Sequence, residues 1–162
     1  MEHEIDVRRE VKHLGHNNAV ALIRKATEKA LAAEGVAQCC AIGVVLTDEE
    51  GIRAVNREFR GVDSATDVLS FPMNELTGGA FNASLCERDL DSGALLLGDM
   101  ILCLPRCEKQ GEEFGHGFAR EIMYLTVHSV LHLLGYDHTD EGEQKRRMRA
   151  REKAIMGEEE AI

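Results

Sequence analysis

The chain has no tryptophan, and only 2 Tyr and 5 Phe among 162 residues, so ring stacking is a limited resource for binding flat ligands. It holds only 2 Pro and 15 Gly, which excludes collagen-like and proline-rich disordered chains. Cationic excess is also missing. The 19 basic residues face 29 acidic ones, a formal charge of −10, so the overall field does not draw the protein to a polyanion or an anionic membrane. No apolar run approaches the ~20 residues of a membrane span. The opening residues, Met1-Glu-His-Glu-Ile-Asp, lack the cationic and apolar pattern of a secretory leader. The cysteines, Cys39, Cys40, Cys86, Cys103 and Cys107, are odd in number and form no C-x-x-C pair. That pattern suits a reducing cytoplasm rather than a disulfide framework.

What remains is an ordinary globular composition, 44% apolar and 30% charged. At 162 residues one core is expected, and residues 1–162 read as a single domain. The weak alternation in the first eight residues suggests a short edge strand. Val20, Leu22, Ile23, Ala26, Ala30 and Leu31 recur at helical spacing, predicting a helix over 17–33 that stops at Gly35. Cys39 to Leu46 is a compact apolar run that reads as a buried strand. Thr47 and Glu50 stand in capping-box register before a helix over about 48–59. Thr66 to Phe71 reads as a strand ended by Pro72, and 73–92 as a long loop. Gly93 to Leu104 reads as a strand with a bulge or kink at Gly98-Asp99. A polar helix from Pro105, an apolar one over about 118–134 and a basic amphipathic one over about 139–156 complete the chain. The order β-α-β-α-β-β-α-α-α predicts an α+β domain, a central mixed sheet of about four strands flanked by helices.

The chemistry concentrates in His128-Ser-Val-Leu-His132-Leu-Leu-Gly135-Tyr-Asp-His138. His128 and His132 are four residues apart on a predicted helix, so they share a face about 6 Å apart along the axis. Gly135 suits the left-handed turn that would end the helix and return His138 as a third ligand. Three imidazoles holding one ion leave a fourth position for water, the arrangement of a catalytic zinc site. The competing reading, three core histidines without partners, would cost several kcal/mol of desolvation. The metzincin peptidases share this spacing, but their general base, a Glu, follows the first histidine, where this chain has Ser129. A hydroxyl does not serve as that base, so a peptidase is disfavoured.

The segment also resembles the H-G-x-L-H-L-x-G-Y-D-H signature of the YbeY family, metal-dependent endoribonucleases of ribosomal RNA maturation. The resemblance extends to Val55-Asn-Arg57-Glu-Phe-Arg60-Gly61, to Thr66-Asp-Val-Leu-Ser-Phe-Pro72 and to Leu97-Gly98-Asp99-Met-Ile. Met148 and Glu152 also fall where similar chains carry Met and Glu. It implies an α+β fold, one Zn2+ held by His128, His132 and His138, and hydrolysis of single-stranded RNA. It implies a role in small-subunit rRNA end processing and ribosome quality control, with RNA and the ribosome or its proteins as partners. Neither a membrane nor an organic cofactor is expected, and the cytoplasm is the expected location. Ser129 departs from the family's Gly. The alternative from another class is a ribosome-assembly or RNA-binding factor with a mainly structural zinc.

Hydrolysis of a phosphodiester needs an activated water, positive charge at the developing oxyanions and a grip on the strand. Arg60 offers a planar donor fork for the second task. By itself it reads equally as a solvated arginine at a helix end, and the resemblance favours the functional role, beside the metal ligand His128. Arg57 and Arg53 extend Arg60 into a stripe that is either a phosphate track or a wet face. Asp67 and Asp99 read either as acceptors for a ligand imidazole or as turn and bulge aspartates. Asp137 reads as proton acceptor or helix cap. The basic run from Lys145 to Lys153 reads as an RNA contact or a solvated helix face. Cys103 and Cys107, four apart, read as small core residues rather than ligands. With few rings available, RNA binding should lean on phosphate contacts.

Overall fold

A computed structural model describes residues 2–137 and 142–157. Four strands, β1 (Glu4–Arg9), β2 (Cys40–Thr47), β3 (Val68–Pro72) and β4 (Leu95–Cys103), form one sheet in the order β1-β2-β4-β3. The first three in that order run parallel, and β3 closes the edge antiparallel to β4, which makes the sheet mixed. Five α-helices flank it: α1 (Ala19–Ala33), α2 (Glu49–Arg60), α3 (Leu104–Glu113), α4 (Gly117–Leu133) and α5 (Glu143–Met156). The α+β class, the mixed four-stranded sheet and the element order are as expected from sequence. No described helix is long and apolar enough to cross a membrane.

The sheet has two unequal faces because strand residues alternate in direction. Ile42, Val44 and Leu46 of β2, with Leu95, Leu97, Met100 and Leu102 of β4, turn to the main core. There they meet Ile23, Ala26 and Ala30 of α1 and Ile122, Val130 and Leu133 of α4. The other face is covered by α2, where Ile52, Leu69 and Cys103 form a small separate cluster. All five cysteines are free, and Cys103 and Cys107 are buried among apolar side chains, as small core residues.

Two local details differ from the sequence expectation. Asp48, not Thr47, caps α2: its Oδ1 accepts from the Gly51 amide at 2.8 Å. Thr47 is the last residue of β2, and its hydroxyl donates to Glu10 at 3.0 Å, so it is not available to the helix. The irregularity in β4 falls as expected beside Gly98. Ala41 pairs with Leu96 and Ile42 with Gly98, so Leu97 is the extra residue. Gly98 has φ 132, and a Cβ there would strike the Phe71 carbonyl, so only glycine fits. The 73–92 segment carries a short 3-10 turn, Ala83–Leu85, and a bridge from Arg88 to Leu95.

Candidate metal centre

Helix α4 carries the two histidines out of the core at one edge. Its apolar stripe faces the sheet and α1, and it packs on α3, α5 and β3. His128 and His132 are only half-buried, one turn apart, beside fully buried Val127, Ser129, Val130 and Leu131. Gly135 ends the turn after α4 at φ 102, and a Cβ there would press on Leu76, so both conformation and space demand glycine.

Each imidazole is oriented through its Nδ1. His128 Nδ1 donates to Glu152 Oε2 at 2.5 Å, and His132 Nδ1 donates to the Tyr136 carbonyl at 3.0 Å. Both acceptors are oxygens, so both Nδ1 atoms donate and the rings turn their Nε2 atoms towards one another. Those two Nε2 atoms lie 3.2 Å apart. Two nitrogen ligands of one tetrahedral zinc would sit about 3.3 Å apart, which matches this spacing. The donor set therefore fits a divalent cation. Among the described residues no group of three or more His, Cys, Asp or Glu side chains is arranged for a metal. The expected third ligand, His138, lies outside the described residues.

Glu152 is itself held. It is buried, and Tyr124 Oη donates to its Oε1 at 2.8 Å while His128 occupies Oε2. Burial alone would raise its pKa, but the bonds from His128 and Tyr124 and the nearby Arg149 charge outweigh burial and hold it below the ordinary value. Tyr136 Oη donates to Glu34 Oε1 at 2.5 Å, and Arg151 Nε donates to Glu34 Oε2 at 2.7 Å. Burial and the Glu34 bond push the Tyr136 phenol up to about 12, which keeps it a donor.

A cleft opens beside the histidines, lined by Arg60, Ser70, Pro72, His128, His132 and Asp137. Arg60, the last residue of α2, thus lines the same cleft as the two imidazoles. Ser129 does not intrude. It is fully buried, and its Oγ lies 2.6 Å from Ser70 Oγ, tying α4 to β3 behind the cleft.

The other expected residues lie elsewhere. Arg53 forms a two-pronged pair with Asp63, at 2.8 and 3.2 Å, and Arg57 approaches the same carboxylate at 4.0 Å. Asp67 accepts from the Val68 amide at 2.7 Å and from Gln110 at 3.2 Å. Asp99 is exposed beside Gly43, on the sheet face opposite α4. The acceptors on the imidazoles are Glu152 and the Tyr136 carbonyl, rather than Asp67 or Asp99. The sequence singled out Glu152 only by resemblance, and a backbone carbonyl leaves no mark in a sequence.

Comparison with known proteins decides the family. The family model described as Endoribonuclease YbeY matches residues 4–160. The chain belongs to the YbeY family. A protein named Endoribonuclease YbeY from Clostridium kluyveri is 47% identical over 141 residues, 83% of this chain and 85% of that protein. One of the same name from Clostridium acetobutylicum is 47% identical over 140 residues, 83% of this chain and 84% of that one. The solution structure of TM1509 from Thermotoga maritima shares the fold, with a TM-score of 0.56 at 24% identity, over 97% of this chain and 92% of that one.

Proposed function

We propose that residues 1–162 form one metal-dependent endoribonuclease domain that hydrolyses phosphodiester bonds in single-stranded regions of ribosomal RNA. Zinc is the expected ion, held by His128, His132 and His138. The work assigned to it is end processing of small-subunit rRNA and ribosome quality control, in the cytoplasm, in contact with the ribosome or its proteins. The observation that carries this reading is the His128–His132 pair, Nε2 atoms 3.2 Å apart, in one cleft with Arg60.

A divalent cation held there supplies a Lewis acid that makes water nucleophilic near neutral pH. Glu152 and the Tyr136 carbonyl fix the rings of His128 and His132, which orients these two ligands before the ion binds. Arg60 directs its guanidinium to the phosphate oxygens, where charge grows as water attacks phosphorus and the bond to the leaving oxygen breaks. Asp137, in the same cleft, offers a carboxylate to take the proton of the attacking water.

The test is elemental analysis of the purified protein, with RNA digestion in the presence and absence of a chelator. Stoichiometric zinc and chelator-sensitive cleavage are expected. His128→Ala should abolish cleavage and leave the circular-dichroism spectrum of the fold. Wild-type protein that cleaves nothing, together with a His128→Ala variant that unfolds, would favour the assembly factor with a structural zinc.

A further inference from the structure

Beyond the Arg60 cleft lies a second opening of about 340 Å³. It shares Pro72, His132 and Asp137 with that cleft, so the two meet at the second imidazole. Its walls are braced. The chain turns at Gly78-Gly79 and at Leu134-Gly135, and the Gly79 amide donates to the Gly135 carbonyl at 3.1 Å. A Cβ on Gly79 would strike the Tyr136 ring, so the ring lies directly against that turn. Asn74 is engaged at both ends: its Nδ2 donates to the Leu96 carbonyl at 2.8 Å, and its Oδ1 accepts from the Glu87 amide at 2.9 Å. Arg147 is held by the Gly78 carbonyl at 2.8 Å and by Glu143 at 3.6 Å. Thr77 and Gln144 differ from these. They line the opening with a hydroxyl and an amide that have no hydrogen-bond partner among the described residues. Pro72 and Leu76 add apolar wall, and no lysine or arginine is among the described residues that line it.

We propose that this opening takes one unpaired nucleobase of the RNA, beside the phosphate to be cut, with Thr77 and Gln144 reading its hydrogen-bonding edge. This rests on the reading of the site as RNA-cleaving. The chemistry of the lining selects the occupant. A phosphate finds no countercharge there, whereas Arg60 stands in the adjoining cleft. A base is flat and uncharged, with apolar faces and a row of donors and acceptors along one edge. A hydroxyl and a carboxamide can each donate and accept, so both suit that edge. Pro72 and Leu76 offer apolar contact to the ring. The size agrees, since 340 Å³ lies at the small end of ligand clefts, about 300–1,000 Å³, with room for one nucleoside but not for a duplex. A preference for single strands then follows from the opening itself, because a paired base has already given that edge to its complement.

The test uses the full-length zinc-loaded protein and labelled single-stranded oligoribonucleotides that carry one abasic ribonucleotide, moved stepwise along the strand. Removal of the base at one position beside the cut should raise KM about tenfold, the scale of two lost hydrogen bonds, with kcat nearly unchanged. Removal of bases elsewhere should change KM far less. Thr77→Ala/Gln144→Ala should raise KM to a similar extent on the intact strand, with an unchanged circular-dichroism spectrum, and should show no further loss when that base is removed. Gln144→Glu leaves only acceptors at the end of that side chain. It should shift the preference at that position towards guanine, whose edge presents two adjacent donors, and away from uracil, whose single N–H stands between two acceptors. A merely structural role for Gln144 would not move that ranking. Equal abasic losses in wild type and the double variant, an unchanged base ranking in Gln144→Glu, or a duplex cut as fast as the single strand would overturn the base subsite and leave the nuclease reading standing. Affinity that falls on removal of one base in wild type but not in the double variant, with no strand ever cut, would sustain the subsite and overturn the catalytic reading. A wild type that binds no RNA would overturn both.

Discussion

Glu34 accepts the Tyr136 hydroxyl at 2.5 Å across 102 residues of chain. Its other oxygen takes Arg151 at 2.7 Å. The residue next to Arg151 is Glu152, which orients His128, and the carbonyl of Tyr136 orients His132. One side chain, 8% exposed at the end of α1, thus braces the supports of both imidazoles. Glu34→Ala leaves the Tyr136 phenol without its carboxylate acceptor and the Arg151 guanidinium with only the Ala33 carbonyl at 3.4 Å. It should cost about 2 kcal/mol of stability, read as a lower urea midpoint with an unchanged m-value.

Glu152→Gln keeps the shape of the side chain but removes the charge from His128 Nδ1. Loss of such an outer partner should weaken zinc binding about 10- to 100-fold in a chelator competition, with the fold intact. Equal affinity in the two proteins would remove Glu152 from the support of the site.

Arg60→Ala should retain zinc yet lose about 100-fold in kcat/KM on single-stranded RNA, the scale of losing one transition-state donor. Arg60→Lys restores charge without the planar fork and should recover only part of it. Full activity in the alanine variant would take Arg60 out of the mechanism.

The Ser70–Ser129 bond predicts non-additive changes. Ser129→Ala leaves the Ser70 hydroxyl without that partner and should cost about 1 kcal/mol. Adding Ser70→Ala removes the orphaned group, so the double variant should be more stable than the sum of the singles predicts. Additive costs in urea melts would contradict the coupling.

Alkaline pH should weaken the fold. Burial is the main cause that pushes the Cys40 thiol up to about 12, the Cys103 thiol up to about 11, and the Cys107 thiol higher still. In the unfolded chain thiols ionise from about pH 8.5, while the folded ones keep their protons. The native state then binds more protons, so their contribution is complete below that pH and falls as pH rises towards the folded values. Each thiol adds a slope of roughly 1.4 kcal/mol per pH unit at its limit. Urea midpoints measured from pH 8 to pH 10.5 should fall, and Cys107→Ala should show a shallower decline.

Periodicity carried the elements because each stripe reports its own burial. Ile23, Ala26 and Ala30 on α1 and the alternating residues of β2 face one core, so local pattern and tertiary environment agree. The His128–His132 pair was legible for the same reason, since four residues make one helical turn. Its supports were not. Glu152 lies 24 residues from His128 and Glu34 lies 102 from Tyr136, distances at which no helical or strand period links two side chains. Thr47 and Asp48 both suit a helix cap, and the choice fell to Asp48 because Glu10, remote in sequence, holds the Thr47 hydroxyl. Arg53, Arg57 and Arg60 share a helix and a residue type. Their difference comes from Asp63, beyond the helix end, which draws the first two.

Helix α5 supplies the carboxylate that sets the first ring, and its Arg151 helps to fasten the second. A chain still lacking that helix therefore has no carboxylate to align His128, and the Tyr136 turn that aligns His132 has lost the Arg151 end of its brace. The pair of rings is complete only once α5 has docked on α4, so the latest-made helix sets the geometry of the earlier one.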